Sequence, residues 1–141
     1  MAALVDTNIL VYAFDHDFPR KQRIAIQLLI RGLEQNSIRI PHQAIVEFVA
    51  AVSRSRPGKG AILTVTEACE AAEEYLAVFQ ILYPNDEIVR LALRGAATYQ
   101  LSWFDAHLWA YAEYYGLAEL QSEDFAHDRI YGSVRIVNPF L

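Results

Sequence analysis

Ala3-Leu4-Val5-Asp6-Thr7-Asn8 is a three-residue apolar run that stops at an acid. That form predicts a short buried strand delivering a carboxylate at its C-terminal end. Beyond it, Asn8 to Phe14 (NILVYAF) is again short and apolar. Pro19 suits the first turn of a helix running through Gln22 to about Gln35, with Ile24, Leu28, Leu29 and Leu33 at helical spacing. Ile38-Arg39-Ile40 reads as a second strand stopped by Pro41, and His42 to Ser53 as a helix that is apolar over most of its length. Arg56-Pro57-Gly58-Lys59-Gly60 is a loop. Thr66 is expected to cap a helix to about Val78, with Glu67 and Glu70 near its positive end. Phe79 to Leu82 reads as a third strand, and Asn85 caps a helix to about Tyr99. Ser102-Trp103-Phe104-Asp105 starts another helix, to Tyr115, ending at Gly116. Leu117 to Leu120 and Val134 to Val137 complete the set as fourth and fifth strands. Short apolar strands alternating with helices predict a parallel sheet with helices on both faces, an α/β fold. In such sheets ligands bind beyond the carboxyl ends of the strands. Acids placed just after strands are therefore the residues to weigh.

The 141 residues are expected to form one domain over 1–141, and an apolar fraction of 54% is enough for a full core. No uncharged apolar run reaches the roughly 18 residues that would span a bilayer, so no membrane role is expected. The first residues lack a basic n-region and meet Asp6 at once, which is not the form of a signal peptide. The single cysteine, Cys69, excludes an internal disulfide and fits a reducing cytoplasm. Acids around it disfavour a nucleophilic thiolate, which leaves a half-buried helix position. The net charge of −5 argues mildly against nucleic-acid binding. A cation gathered among several acids would offset it, and basic residues cluster at Arg20-Lys21-Gln22-Arg23 and at Arg54 to Lys59. Those clusters read either as solvated surface or as contacts to backbone phosphates.

Each candidate carboxylate has a bland alternative. Asp6 could simply cap a helix. Glu47 sits mid-helix in Ala44-Ile45-Val46-Glu47-Phe48-Val49 with no cation at i±3 or i±4. If that helix is buried on most sides, the charge is costly unless it is paired or metal-bound; otherwise it marks a solvent stripe. Asp105 with Ser102 matches a capping pattern, which does not prevent the acid from facing a strand-end crevice. Asp124 follows the fourth strand in Leu120-Gln121-Ser122-Glu123-Asp124-Phe125, and Glu123 beside it is the rival, since successive residues point apart. Several carboxylates without a His or Cys framework point to a hard cation, Mg²⁺ or Mn²⁺. Such an ion would activate a water and stabilise charge on a phosphodiester.

His16, His42, His107 and His127 show no metal-ligand spacing. Trp103, Trp109, Tyr111, Tyr114 and Tyr115 could stack bases, although core packing or a subunit interface is the simpler role.

Four segments together carry a family signature: Leu4 to Phe14, Gln43-Ala44-Ile45-Val46-Glu47-Phe48, Leu101-Ser102-Trp103-Phe104-Asp105-Ala106, and Leu120 to Phe125, with Val134 to Phe140 as a typical ending. In this order and spacing the chain resembles the PIN-domain ribonucleases, specifically the VapC-type toxins of toxin–antitoxin pairs. The resemblance implies a three-layer α/β/α sandwich with a mainly parallel sheet. It further implies Mg²⁺- or Mn²⁺-dependent endoribonuclease activity on RNA, a homodimer, and inhibition by a cognate antitoxin. The family's acidic positions fall on Asp6, Glu47, Asp105 and Asp124, and its supporting polar positions on Thr7 or Asn8 and on Ser122. His42 and His107 depart from what the family shows at those places. Two rival functions are open to the same residues. An aspartyl-nucleophile phosphatase would want a second acid two residues after Asp6, where Asn8 stands. A non-catalytic binding module would not need four acids.

Overall fold

The computed structural model describes residues 2–141. Strand β1 (Ala3–Val5) leads into the short helix α1 (Thr7–Tyr12) and then α2 (Pro19–Gln35). The chain continues through β2 (Ile38–Pro41), α3 (His42–Ser53), α4 (Val65–Val78), β3 (Gln80–Leu82), α5 (Asp86–Tyr99) and α6 (Trp103–Tyr114). It closes with β4 (Glu119–Gln121), β5 (Ile130–Tyr131) and β6 (Val134–Val137). The six strands form one sheet in the order β3-β2-β1-β4-β6-β5. Every pairing is parallel except that of β5 with β6 at the edge.

The alternation of side chains along β1 separates two cores. Val5 joins Ile9, Ile38, Ile40 and Phe48 on the face covered by α1 to α4, whereas Leu4 joins Leu120, Ile136 and Trp109 on the face covered by α5 and α6. The expected helix–sheet–helix sandwich is thus formed. Its order reverses at β1: successive strands run outward to β3 on one side, and β4 then returns to the other side of β1. That reversal opens a crevice beyond the carboxyl ends of β1 and β4.

Five local expectations are corrected. The cap of α4 is Thr64, not Thr66: Thr64 Oγ1 accepts from the Glu67 amide while the Glu67 carboxylate accepts from the Thr64 amide. This reciprocal box needs the acid three residues after the cap, a spacing Thr66 lacks. Leu33 is 47% exposed because α2 turns Ala25, Leu29 and Gly32 inward. Gly32 lies directly against Ile38, and Leu33 is rotated about 100° from that contact line. Cys69 is exposed, not half-buried, since α4 buries its neighbours Ala68, Ala71 and Ala72. The Leu117 amide closes the end of α6 on the Ala112 carbonyl, so β4 begins at Glu119 instead of Leu117. The two-residue strand β5 was not foreseen, being too short to show a period. Among the described residues no helix is long and apolar enough to cross a membrane.

Candidate active site

Asp6 is the residue that follows β1, and it is 97% removed from solvent (3% exposed). Its backbone amide donates to the Gln121 carbonyl of β4, which fixes it at the strand reversal. The capping role and the site role coexist: Oδ1 accepts from the Thr7 amide at 2.6 Å, while Oδ2 accepts from the Ser122 hydroxyl at 2.6 Å. Ser122 Oγ in turn accepts from the Asp124 amide at 3.0 Å, so one serine fixes both strand-end acids. Asn8 Nδ2 bridges the same pair, 3.5 Å from Asp6 Oδ2 and 3.2 Å from Asp124 Oδ2.

Glu47 enters from α3. Its two carboxylate oxygens accept from the Thr7 hydroxyl at 2.9 Å and from Gln43 Nε2 at 2.8 Å. Among the described residues no cation holds it, and it does not face bulk water as a free stripe: it is partly buried and held by neutral donors. Asp105 sits in the first turn of α6, its amide donating to Ser102 Oγ at 3.2 Å, with a half-buried carboxylate.

Two adjoining clefts meet on these acids. One, of about 350 Å³, is lined by Asp6, Gln43, Glu47, Phe104, Asp105 and Asp124. The other, of about 340 Å³, shares Asp6, Glu47 and Asp124 and is walled by Asn8, Tyr12 and Phe18. A further cavity of about 390 Å³ lies under α2 and carries no comparable cluster.

Electrostatics single out Asp6. Burial is the main cause that pushes its carboxyl up to about 7, and the nearby Asp124 and Asp105 carboxylates push it the same way. The hydrogen bonds from Ser122 and Thr7 oppose the rise without cancelling it. Asp105 is raised as well, first by burial and then by Asp124 and Glu47. Like charges gathered in a partly buried crevice leave a deficit that a divalent cation would remove. Asn8 Oδ1 is buried without a protein partner among the described residues, a free oxygen beside that cluster. The donors are all hard oxygens, which fits Mg²⁺ or Mn²⁺. Among the described residues no three His, Cys, Asp or Glu side chains stand together as a set that could by itself hold a metal ion. An open arrangement suits Mg²⁺, which keeps several waters and takes few protein ligands.

Other candidates fall elsewhere. Glu123 is turned from the clefts toward Tyr12 and Lys21. None of the histidines lines either cleft: His42 packs on Tyr83, and His107 on Trp103. Trp109 and Tyr111 belong to the core, whereas Trp103, Tyr114 and Tyr115 are exposed. In the basic clusters, Arg20 donates to the Phe140 carbonyl, and Arg56 and Lys59 both reach Asp17. Lys21, read from the sequence as a possible phosphate contact, is held by Glu123, and sequence reasoning missed Gln43, Tyr12 and Phe104. Gln43 was legible in principle, since it stands one helical turn before Glu47 on the same face.

The PIN domain family model matches residues 3–133, which include every residue of this centre. The chain belongs to the PIN domain family. No curated protein sequence matches it significantly. Solved structures share the fold of this PIN domain. A toxin–antitoxin complex from Klebsiella pneumoniae aligns with 23% identity and a TM-score of 0.66, covering 98% of both chains. VapBC2 from Rickettsia felis, solved with a promoter DNA fragment, aligns with 16% identity and a TM-score of 0.71, covering 96% of this chain and 97% of its own. The sarcin–ricin loop cleaving toxin VapC20 of Mycobacterium tuberculosis aligns with 16% identity and a TM-score of 0.61, over 87% of this chain and 90% of its own.

Proposed function

We propose that this PIN domain is a divalent-metal-dependent endoribonuclease and the toxin of a toxin–antitoxin pair. The observation that carries this reading is the buried Asp6 carboxyl, raised to about 7 in a crevice it shares with Glu47, Asp105 and Asp124. A protein gains nothing in stability from such an arrangement, so a ligand that compensates it is the natural explanation. Asp6, Glu47, Asp105 and Asp124 would hold Mg²⁺ or Mn²⁺, directly or through water. The ion would supply Lewis-acid stabilisation of the phosphodiester and a water of lowered pKa.

The chain's own residues prepare that chemistry. Ser122 and the Thr7 amide fix the two oxygens of Asp6. Thr7 and Gln43 orient Glu47. Asn8 spans Asp6 and Asp124 and offers an amide, not an acid, so a D-x-D phosphatase reading finds no leaving-group acid there. The toxin role draws on the neighbours' own descriptions, one as a toxin–antitoxin complex and one as a sarcin–ricin loop cleaving toxin. With it come a cognate antitoxin as partner, a homodimer built from this single domain, and action in the cytoplasm.

The test is to sequence cellular RNA ends after brief expression of the wild type and of Asp6→Asn. New 5′ ends at discrete RNA positions with the wild type alone are expected. Identical end profiles for the two proteins would refute the reading.

A further inference from the structure

Phe104 is the most exposed aromatic side chain of the described residues, at 66%, and it lines the same cleft as Asp6, Glu47, Asp105 and Asp124. It immediately precedes Asp105 in the first turn of α6. Its neighbour Trp103 is less exposed and stands edge-on to His107 at 4.3 Å, whereas Phe104 has no aromatic partner among the described residues. On the opposite side of the acids, Phe18 is already in edge contact with Tyr12 at 5.6 Å. The backbone at Phe104 is tied to the acidic centre: Gln43 Nε2 donates to its carbonyl at 3.3 Å and to Glu47 at 2.8 Å. One glutamine therefore fixes both a carboxylate and the residue that carries the free ring.

We infer that Phe104 is a stacking platform for an unpaired nucleobase next to the phosphodiester to be cut. This rests on the nuclease reading above and adds what that reading lacks, a group that holds the nucleotide and not its phosphate. Every base offers a π-face, so an unpartnered ring beside a phosphate-processing centre is a sequence-tolerant grip. A base inside a duplex is already stacked on its neighbours, so the platform selects single-stranded or looped RNA. The clefts carry Asp6, Asp15, Glu47, Asp105 and Asp124 and no lining Lys or Arg. Phosphate contacts there depend on the cation, and stacking supplies affinity that the side-chain charges do not.

The experiment uses the purified full chain with Mn²⁺ and a short single-stranded oligoribonucleotide cut at one position. It compares wild type, Phe104→Ala, Phe104→Leu and Phe104→Trp. A parallel set of substrates carries an abasic nucleotide at each position flanking the cut. Phe104→Ala and Phe104→Leu are expected to raise KM about 5- to 100-fold with kcat changed far less, the loss that matches one stacked base. Phe104→Trp should keep a wild-type KM. Removing one particular flanking base should cost the wild type as much, and cost Phe104→Ala nothing further. Unchanged KM in Phe104→Ala, with equal sensitivity of both proteins to base removal, would overturn the inference and leave Phe104 as a contact for a protein partner. That outcome would leave the nuclease reading intact. Absence of any cleavage by the wild type would sink the nuclease reading and this inference with it.

Discussion

Lys21 Nζ lies 2.8 Å from one carboxylate oxygen of Glu123, and the Tyr12 hydroxyl donates to the other at 2.6 Å. The ammonium also sits over the rings of Tyr12, Phe18 and Phe140, at 4.9, 5.8 and 5.6 Å. Both oxygens of Glu123 are thus engaged outside the acidic centre, while the next residue, Asp124, lines both clefts. Adjacent side chains point apart, and this pair shows which of them is committed elsewhere.

The two acids should therefore separate on substitution. Glu123→Gln keeps its hydrogen bond from Tyr12 and is expected to cleave RNA within a few-fold of wild type. Asp124→Asn should lose more than about 100-fold, beyond the range typical of residues that only support a metal ligand. Initial rates on one RNA substrate decide it; equal losses would remove the distinction. The Lys21 pair is partly solvated, so a double-mutant cycle should give only about 1 kcal/mol of coupling.

Asp6 makes the metal-free fold sensitive to pH. Its folded pKa of about 7 lies above its ordinary value of 3.8, so the folded chain holds a proton that the unfolded chain has lost. Stability falls as pH rises from about 4 and levels off above about 7, for a total near 4 kcal/mol. In EDTA, Asp6→Asn should melt higher than wild type at pH 8, and the difference should shrink toward zero near pH 4. Saturating Mn²⁺ should raise the wild-type Tm and leave that of the variant unmoved. A variant less stable than wild type at pH 8 in EDTA would contradict the assignment of strain to Asp6.

Ser122 is buried and serves both strand-end acids. Ser122→Ala removes a bond that favours ionised Asp6, so its pKa should climb further. Mn²⁺ affinity measured by calorimetry near pH 7 should drop about 10- to 100-fold, as for other supporting partners of metal ligands. A folded variant with undiminished affinity would exclude this role.

The strand-end acids were legible because acids placed at or just after a short apolar strand leave a local trace, as Asp6 after Val5 and Asp124 three residues past Gln121 do. Glu47 was legible because an uncompensated charge in an apolar helix needs a reason. The structure refined that reason: Thr7 and Gln43 hold the carboxylate, and a lack of cations at i±4 did not mean a lack of donors. The Lys21–Glu123 contact joins residues 102 positions apart and leaves no local pattern. Choosing Asp124 over Glu123 from the residues alone was out of reach for the same cause. Strand β5 and the shifted start of β4 depend on turns and partners, not on period. The inward face of α2 was misjudged at Leu33 because the close approach at Gly32 sets the helix rotation, and a missing side chain gives no hydrophobic signal.

The second core offers a test of the fold independent of chemistry. A Cβ at Gly95 would stand 2.4 Å from the Trp109 ring, which is pinned by its Nε1 bond to the Tyr131 carbonyl at 2.9 Å. Gly95→Ala should cost about 1–3 kcal/mol by overpacking the α5–α6 contact, despite alanine's better helix propensity. Chemical denaturation reads the loss, and cleavage at low temperature should survive in the folded fraction. A more stable variant would mean that α5 and α6 are not packed as described.

The most direct measurement is RNA cleavage by purified, antitoxin-free protein as Mn²⁺ is titrated, alongside EDTA and the Asp6→Asn variant. Cleavage should rise with Mn²⁺, stop in EDTA, return when Mn²⁺ is restored, and fail in the variant. Cleavage that survives EDTA, or equal cleavage by Asp6→Asn, would contradict the account.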